Sequence, residues 1–308
     1  MLSPEIRARL SRLNRVTLPD ADQPSPSYAP SSGSMSELPA GEQVDNGCGQ
    51  HWLLRTAIDE LWPAGADVIE QTLSDRDPLQ EPSNRAELEI AELQNAFPEQ
   101  VLLLDLETCG LGGAMVFLVG LIHVHQGQFV LSQLLARNYA EEAAILQSLW
   151  EIAAAQQVLV TFNGKSFDWP LVHDRSTLHH LGRDPRQSSC QPTAVAGETI
   201  PARLARHQPR PELVHCDLLH HGRRRWKSQL PDCRLQTLEQ YICGRYRSGD
   251  IPGRLIPHAY HDYVRTGDAW QMRNVLHHNA LDLVTLLELS CRFITSGAEK
   301  KPSFQEEC

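Results

Sequence analysis

Four apolar residues, Val101–Leu104, run directly into Asp105-Leu106-Glu107-Thr108, and this junction constrains the chain more than any other stretch. A short unbroken apolar run reads as a central strand covered on both faces. Side chains two apart on a strand share a face, so Asp105 and Glu107 project together from one end of it. Neighbouring carboxylates at the end of an apolar strand repel each other and lose hydration, which favours a cation between them. Such oxygen donors suit Mg²⁺ or Mn²⁺, which bind a few carboxylates and complete their shells with water and phosphate. The same short pattern also describes a strand that merely ends in surface acids, so the pair alone does not decide.

Two further segments weigh on the choice. Val158–Phe162 is a second short strand, rich in β-branched residues, and it runs into Asn163-Gly164-Lys165-Ser166-Phe167-Asp168, a turn centred on glycine that leads into a helix. An acid just past a strand end is placed to meet the acids of a neighbouring parallel strand. From Val275 to Leu289 the apolar spacing is helical, and His278 and Asp282 lie four apart on one face. A carboxylate with an imidazole one turn away offers a metal ligand and a general base. His277 is the other candidate base, turned from Asp282 by about 140° on an unbroken helix.

With 308 residues, 41% of them apolar, the chain can bury a sizeable core as one large domain or two small ones. Its net charge of −10 argues at first against a nucleic-acid partner. Residues 101–294, however, hold 19 Lys+Arg and 18 Asp+Glu, so the acidity belongs to the flanks. Basic residues cluster in Arg223-Arg224-Arg225-Trp226-Lys227, where charge beside an aromatic suits phosphate contacts and base stacking. A solvated basic helix face is the plainer reading.

The eight cysteines form no C-x-x-C pair, which argues against a zinc ribbon. Their scatter, with no secretory signal, suits a reducing cytoplasm, and no segment has the length and apolarity of a membrane span. Composition divides the chain into an acidic, disordered tail (1–50), a partly helical extension (51–100, with a helix across Glu87–Phe97), a main domain (101–294) and a short tail (295–308). The main domain is α/β. Strands are expected at 101–106, 114–124, 128–134, 158–162 and 213–218. Helices are expected at 141–156, 167–181, 232–246 and 271–294, and a polar insertion at 184–212.

Residues 101–294 resemble the YprB-type ribonuclease H-like family, a branch of the DEDD 3′–5′ exonuclease superfamily. The resemblance rests on Leu-Asp105-Leu-Glu107-Thr108-Cys-Gly110-Leu111, Phe117-Leu-Val-Gly120 and Val-Thr161-Phe-Asn163-Gly-Lys165-Ser-Phe167-Asp168-Trp169-Pro170. It continues in His215-Cys-Asp217-Leu-Leu, Gly249-Asp-Ile-Pro-Gly253 and His278-Asn279-Ala-Leu-Asp282. The long Thr161–Pro170 block is the most specific of these. Departures are Cys109, where threonine is commoner, and the absence of the helical repeats that often follow this domain.

The resemblance implies a ribonuclease H-like fold with a central mixed five-stranded sheet flanked by helices. It implies hydrolysis of single-stranded DNA or RNA ends with two Mg²⁺ or Mn²⁺ ions held by Asp105, Glu107, Asp168 and Asp282. His278 would be the base. Thr108, Asn163, Lys165, Arg223, Arg224, Arg225 and Lys227 would contact nucleic acid. A catalytically weak nucleic-acid-binding module on the same fold is the alternative. Gly164-Lys165-Ser166 lacks the earlier glycine of a phosphate-binding loop, and Asp217 reads as structural. His123 with His125, His179 with His180 and His220 with His221 read as surface residues rather than zinc ligands.

Overall fold

The computed structural model describes residues 37–76, 81–110, 114–181 and 210–296. Among the described residues seven strands form: β1 (Glu42–Asp45), β2 (Gln50–Ala57), β3 (Val101–Thr108), β4 (Val116–His125), β5 (Gln128–Leu135), β6 (Val158–Thr161) and β7 (Val214–Asp217). The helices are α1 (Ile58–Leu61), α2 (Gly65–Ser74), α3 (Arg85–Ala96), α4 (Glu142–Ala153), α5 (Asp168–Leu178), α6 (Leu218–Trp226), α7 (Leu235–Leu238), α8 (Ile256–Thr266) and α9 (Trp270–Ser296). All strands join one sheet in the order β1-β2-β5-β4-β3-β6-β7. β3 runs antiparallel to β4 and parallel to β6, which is in turn parallel to β7.

β3 is central because its apolar run has two faces to cover. Val101 and Leu103 pack into the core that includes Leu283, Val284 and Leu287 of α9. Leu102, Leu104 and Leu106 pack into the opposite core with Ile145 and Leu149 of α4 and Tyr260 of α8. Full burial of each such side chain contributes about 1.5–3 kcal/mol. The period of two then carries Asp105 and Glu107 onto the face covered by α9, the helix that bears His278 and Asp282.

Close approach of α9 to the sheet depends on Gly120 in β4. A Cβ there would lie 2.1 Å from Asn279 Oδ1 and 2.6 Å from Leu283 Cδ1. Gln133 of β5 fixes the same point, donating from Nε2 to Asn279 Oδ1 at 2.9 Å and to the Leu276 carbonyl at 2.8 Å.

The sheet is wider than the five strands expected, because β1 and β2 form a hairpin whose second strand pairs with β5. Residues 37–50 therefore do not belong to a disordered tail. Leu53 and Leu54 are buried, and the Asn46 amide reaches across the turn to the Ala144 carbonyl at 2.7 Å and Ser148 Oγ at 2.8 Å on α4. The helical region expected at 232–246 is shorter. α7 passes into a wide π-type turn, Glu239–Cys243, which ends at Gly244 with φ +74°. That left-handed residue releases the chain into the loop bearing Arg247 and Asp250.

The insertion expected at 184–212 lies almost entirely outside the described residues, as do the tails at 1–36 and 297–308. Among the described residues no helix is long and apolar enough to cross a membrane, and the six cysteines are free thiols.

Candidate active site

Three elements converge above the end of β3. β3 supplies Asp105 and Glu107, the first turn of α5 supplies Asp168, and α9 supplies His278 and Asp282. Burial pushes the Asp105 carboxyl well above the usual range, and the charges of Asp282 and Asp168 add to the shift. Glu107 is raised in the same way, by burial first and then by Asp105, Asp282 and Asp168. Asp168 rises to about 7, through burial and the nearby Asp217. Asp168 and Asp282, from two other segments, thus lie close enough to oppose ionisation of Asp105 and Glu107.

Several residues to which no sequence pattern assigns a role complete the site. Asn279 donates from Nδ2 to Asp105 Oδ2 at 2.8 Å. Asp250 accepts from His278 Nδ1 at 2.8 and 2.9 Å, which leaves Nε2 directed to Asp282 Oδ2 at 3.5 Å. Burial would lower the His278 pKa, but the bond to Asp250 and the charge of Asp282 outweigh it and raise the pKa. Arg247 ties the loop to the helix, contacting Asp282 Oδ1 and Glu239 Oε2 at 2.5 Å each and Asp250 Oδ2 at 3.1 Å. Phe167, immediately before Asp168, is 64% exposed.

The signals for these residues lay in motifs already in view. Gly249–Gly253 contains Asp250, and His278-Asn279 contains the amide. Neither motif, however, states a distance.

The remaining expected contact residues lie in different surroundings. Thr108 Oγ1 donates to the Gly110 carbonyl at 2.8 Å, where it shapes the chain leaving β3. Asn163 takes a left-handed conformation (φ +67°), and its N–H donates to Asp217 Oδ1 at 2.7 Å. The Lys165 and Leu219 N–H groups bond the same carboxylate, so Asp217 is the buried brace of the turn and the cap of α6. Lys165 Nζ is held by Glu89 Oε1 at 2.7 Å. Arg223, Arg224 and Lys227 are solvent-facing or partly so, whereas the Arg225 guanidinium lies over the rings of Trp226 and Phe293.

Trp226 itself is only 2% exposed, which rules out the base-stacking role suggested by its basic neighbours. Three histidines expected at the surface are also engaged in the fold. His123 is buried against Ser132 Oγ at 3.1 Å, His179 contacts Glu142 at 2.8 Å, and His221 contacts Glu89 at 3.2 Å.

A carboxylate-only donor set of this kind fits Mg²⁺ or Mn²⁺ better than a soft or nitrogen-loving metal. The burial and repulsion that raise Asp105 and Glu107 are the penalty that divalent cations would relieve.

The family model for the RNase_H superfamily matches residues 102–293. The uncharacterized protein YprB of Bacillus subtilis (strain 168) is 35% identical over 189 residues. That stretch covers 60% of this chain and 40% of YprB, so the match spans less than half of that relative's length.

Proposed function

Because the chain belongs to the RNase_H superfamily, with a YprB-type domain, we propose that it is a metal-dependent nuclease, and more narrowly a DEDD-type 3′–5′ exonuclease that trims single-stranded DNA or RNA in the cytoplasm. The observation that carries this reading is the meeting of Asp105, Glu107, Asp168 and Asp282, in which burial and the charges of the neighbouring acids oppose ionisation of Asp105 and Glu107. Those four would hold two Mg²⁺ or Mn²⁺ ions. When bound, the ions would polarise a water and the scissile phosphate and, by their charge, ease the proton from His278.

The chain's own residues do the rest. Asn279 fixes one oxygen of Asp105, and the other would be left to help hold a cation. Asp250 fixes the His278 ring, so Nε2 is the atom that accepts the proton of the attacking water. The exposed Phe167 ring offers a face on which a terminal base stacks beside Asp168.

One observation favours the alternative of a catalytically weak nucleic-acid-binding module. Arg247 already sits on Asp282, supplying an internal cation where a metal ligand is needed. Hydrolysis of 5′-labelled single-stranded DNA and RNA with Mn²⁺, Mg²⁺ or EDTA separates the two readings. A metal-dependent ladder shortening from the 3′ end is expected, and Asp105→Asn/Asp282→Asn should reduce it to background. Binding without cleavage of either strand in both proteins would establish the binding module instead.

A further inference from the structure

Away from the carboxylates, α3, β7 and α6 bring together three chemically different donors. Glu89, Cys216 and His221 are all buried, and one ligand atom of each lies within 4.8 Å of the other two. Glu89 Oε2 stands 3.2 Å from His221 Nε2. Bonds of about 2.0–2.1 Å from zinc to nitrogen and oxygen place two tetrahedral ligands about 3.3 Å apart. The other oxygen of Glu89 is occupied by Lys165 Nζ at 2.7 Å and Arg85 Nε at 3.2 Å, so the carboxylate is held with Oε2 toward the histidine.

We propose that Glu89, Cys216 and His221 form a second metal site that binds one Zn²⁺, with a water as the fourth ligand. A sulfur, a nitrogen and an oxygen donor together suit zinc, whereas the hard ions suited to the carboxylate site avoid sulfur. On binding, the Cys216 S–H bond breaks, the sulfur pair bonds the metal, and the proton leaves to solvent. The ion would fasten α3, which precedes the family-matched residues 102–293, to the β7–α6 edge of the sheet. Lys165 would then serve this site, as the second partner of Glu89, rather than a nucleic-acid phosphate.

The test uses the untagged full chain. Protein expressed with added zinc should retain one equivalent through desalting. Protein expressed with added Co²⁺ should show a thiolate-to-cobalt charge-transfer band in the near ultraviolet, which carboxylate ligands do not produce. Cys216→Ser should remove the band, and His221→Gln should lower the retained zinc. Asp105→Asn/Asp282→Asn should leave both signals in place.

Folded wild-type protein with no zinc and no band would overturn the proposal and make the cluster a plain buried Glu–His–Lys pairing. A band that survives Cys216→Ser, or disappears with the Asp105/Asp282 variant, would overturn it as well. Should Cys216→Ser fail to fold, Glu89→Gln substitutes, with loss of zinc expected and retention of a full equivalent counting against the site.

Discussion

Gly120 and Asn279 show how one missing side chain positions a buried carboxylate. The space beside Gly120 is filled by the Asn279 amide, and that amide holds Asp105. Gly120→Ala should therefore push Asn279 off Asp105, costing about 1–3 kcal/mol through overpacking and lowering nuclease activity together with the melting temperature. An unchanged melt with unchanged turnover would sink this account. Asp250→Asn should leave substrate affinity near wild type but lower kcat by about 10²-fold or more, the contribution typical of a positioned base. Phe167→Ala should act the other way, raising KM with little effect on kcat, and steady-state kinetics on a labelled oligonucleotide separates the two. The shared faces of Asp105 with Glu107 and of His278 with Asp282 were legible in the sequence because periods of 2 and 3.6 residues dictate them, and Asp168 was placed by its turn just past a strand end. Asp250 and Arg247 were not, because they lie in an irregular loop where no period applies and their partners are distant in the chain.

Among elements, the hairpin β1–β2 was the least legible. Its first strand and turn, residues 42–49, are mostly polar and glycine-containing and carry little local preference, and its order comes from pairing with β5 and from Asn46 docking on α4. Trp226 misled in a related way: its neighbours in sequence are cations, while its neighbours in space include Phe293 of α9. Strands β3 to β7 were readable because short β-rich or apolar runs between turn signals need no distant information to be recognised. The packing of α4, α5 and β4 depends on a single buried carboxylate. Glu142 accepts from Arg175 Nε, His179 Nε2 and the Val116 N–H, each at 2.8 Å. Burial alone would push its carboxyl up, but these bonds outweigh it and hold it below the ordinary range. Its contribution is therefore complete above the ordinary glutamate pKa of about 4.3 and is lost as pH falls through its lower folded-state value. Glu142→Gln should cost about 3 kcal/mol at neutral pH, as expected for removing one partner of a buried pair. Denaturant unfolding at several pH values should show wild type and variant converging in acid, and a constant difference down to the lowest pH would refute the assignment.

At the scale of the molecule, the order of strands and helices suffices to identify a ribonuclease H-like sheet, while the strand count depends on residues whose role emerges only in three dimensions. Charge is the remaining global property with a functional consequence. The acidity of the chain lies in its flanks, and the 101–294 stretch is close to neutral with its cations unevenly spread. On α6 and just beyond it, Arg223, Arg224 and Lys227 face outward, whereas Arg225 is committed to the rings of Trp226 and Phe293. If the outward three contact phosphates, their loss removes three counterion-releasing contacts and nothing from the core. The triple variant Arg223→Ala/Arg224→Ala/Lys227→Ala should then melt as wild type does, bind single-stranded oligonucleotide more weakly, and show a log–log salt dependence shallower by about 2, since each contact on a single strand contributes about 0.7. Fluorescence anisotropy across a salt series measures that slope directly. A slope equal to that of wild type would reduce these residues to a solvated basic face and move the search for the strand's path to the Phe167 side of the carboxylates.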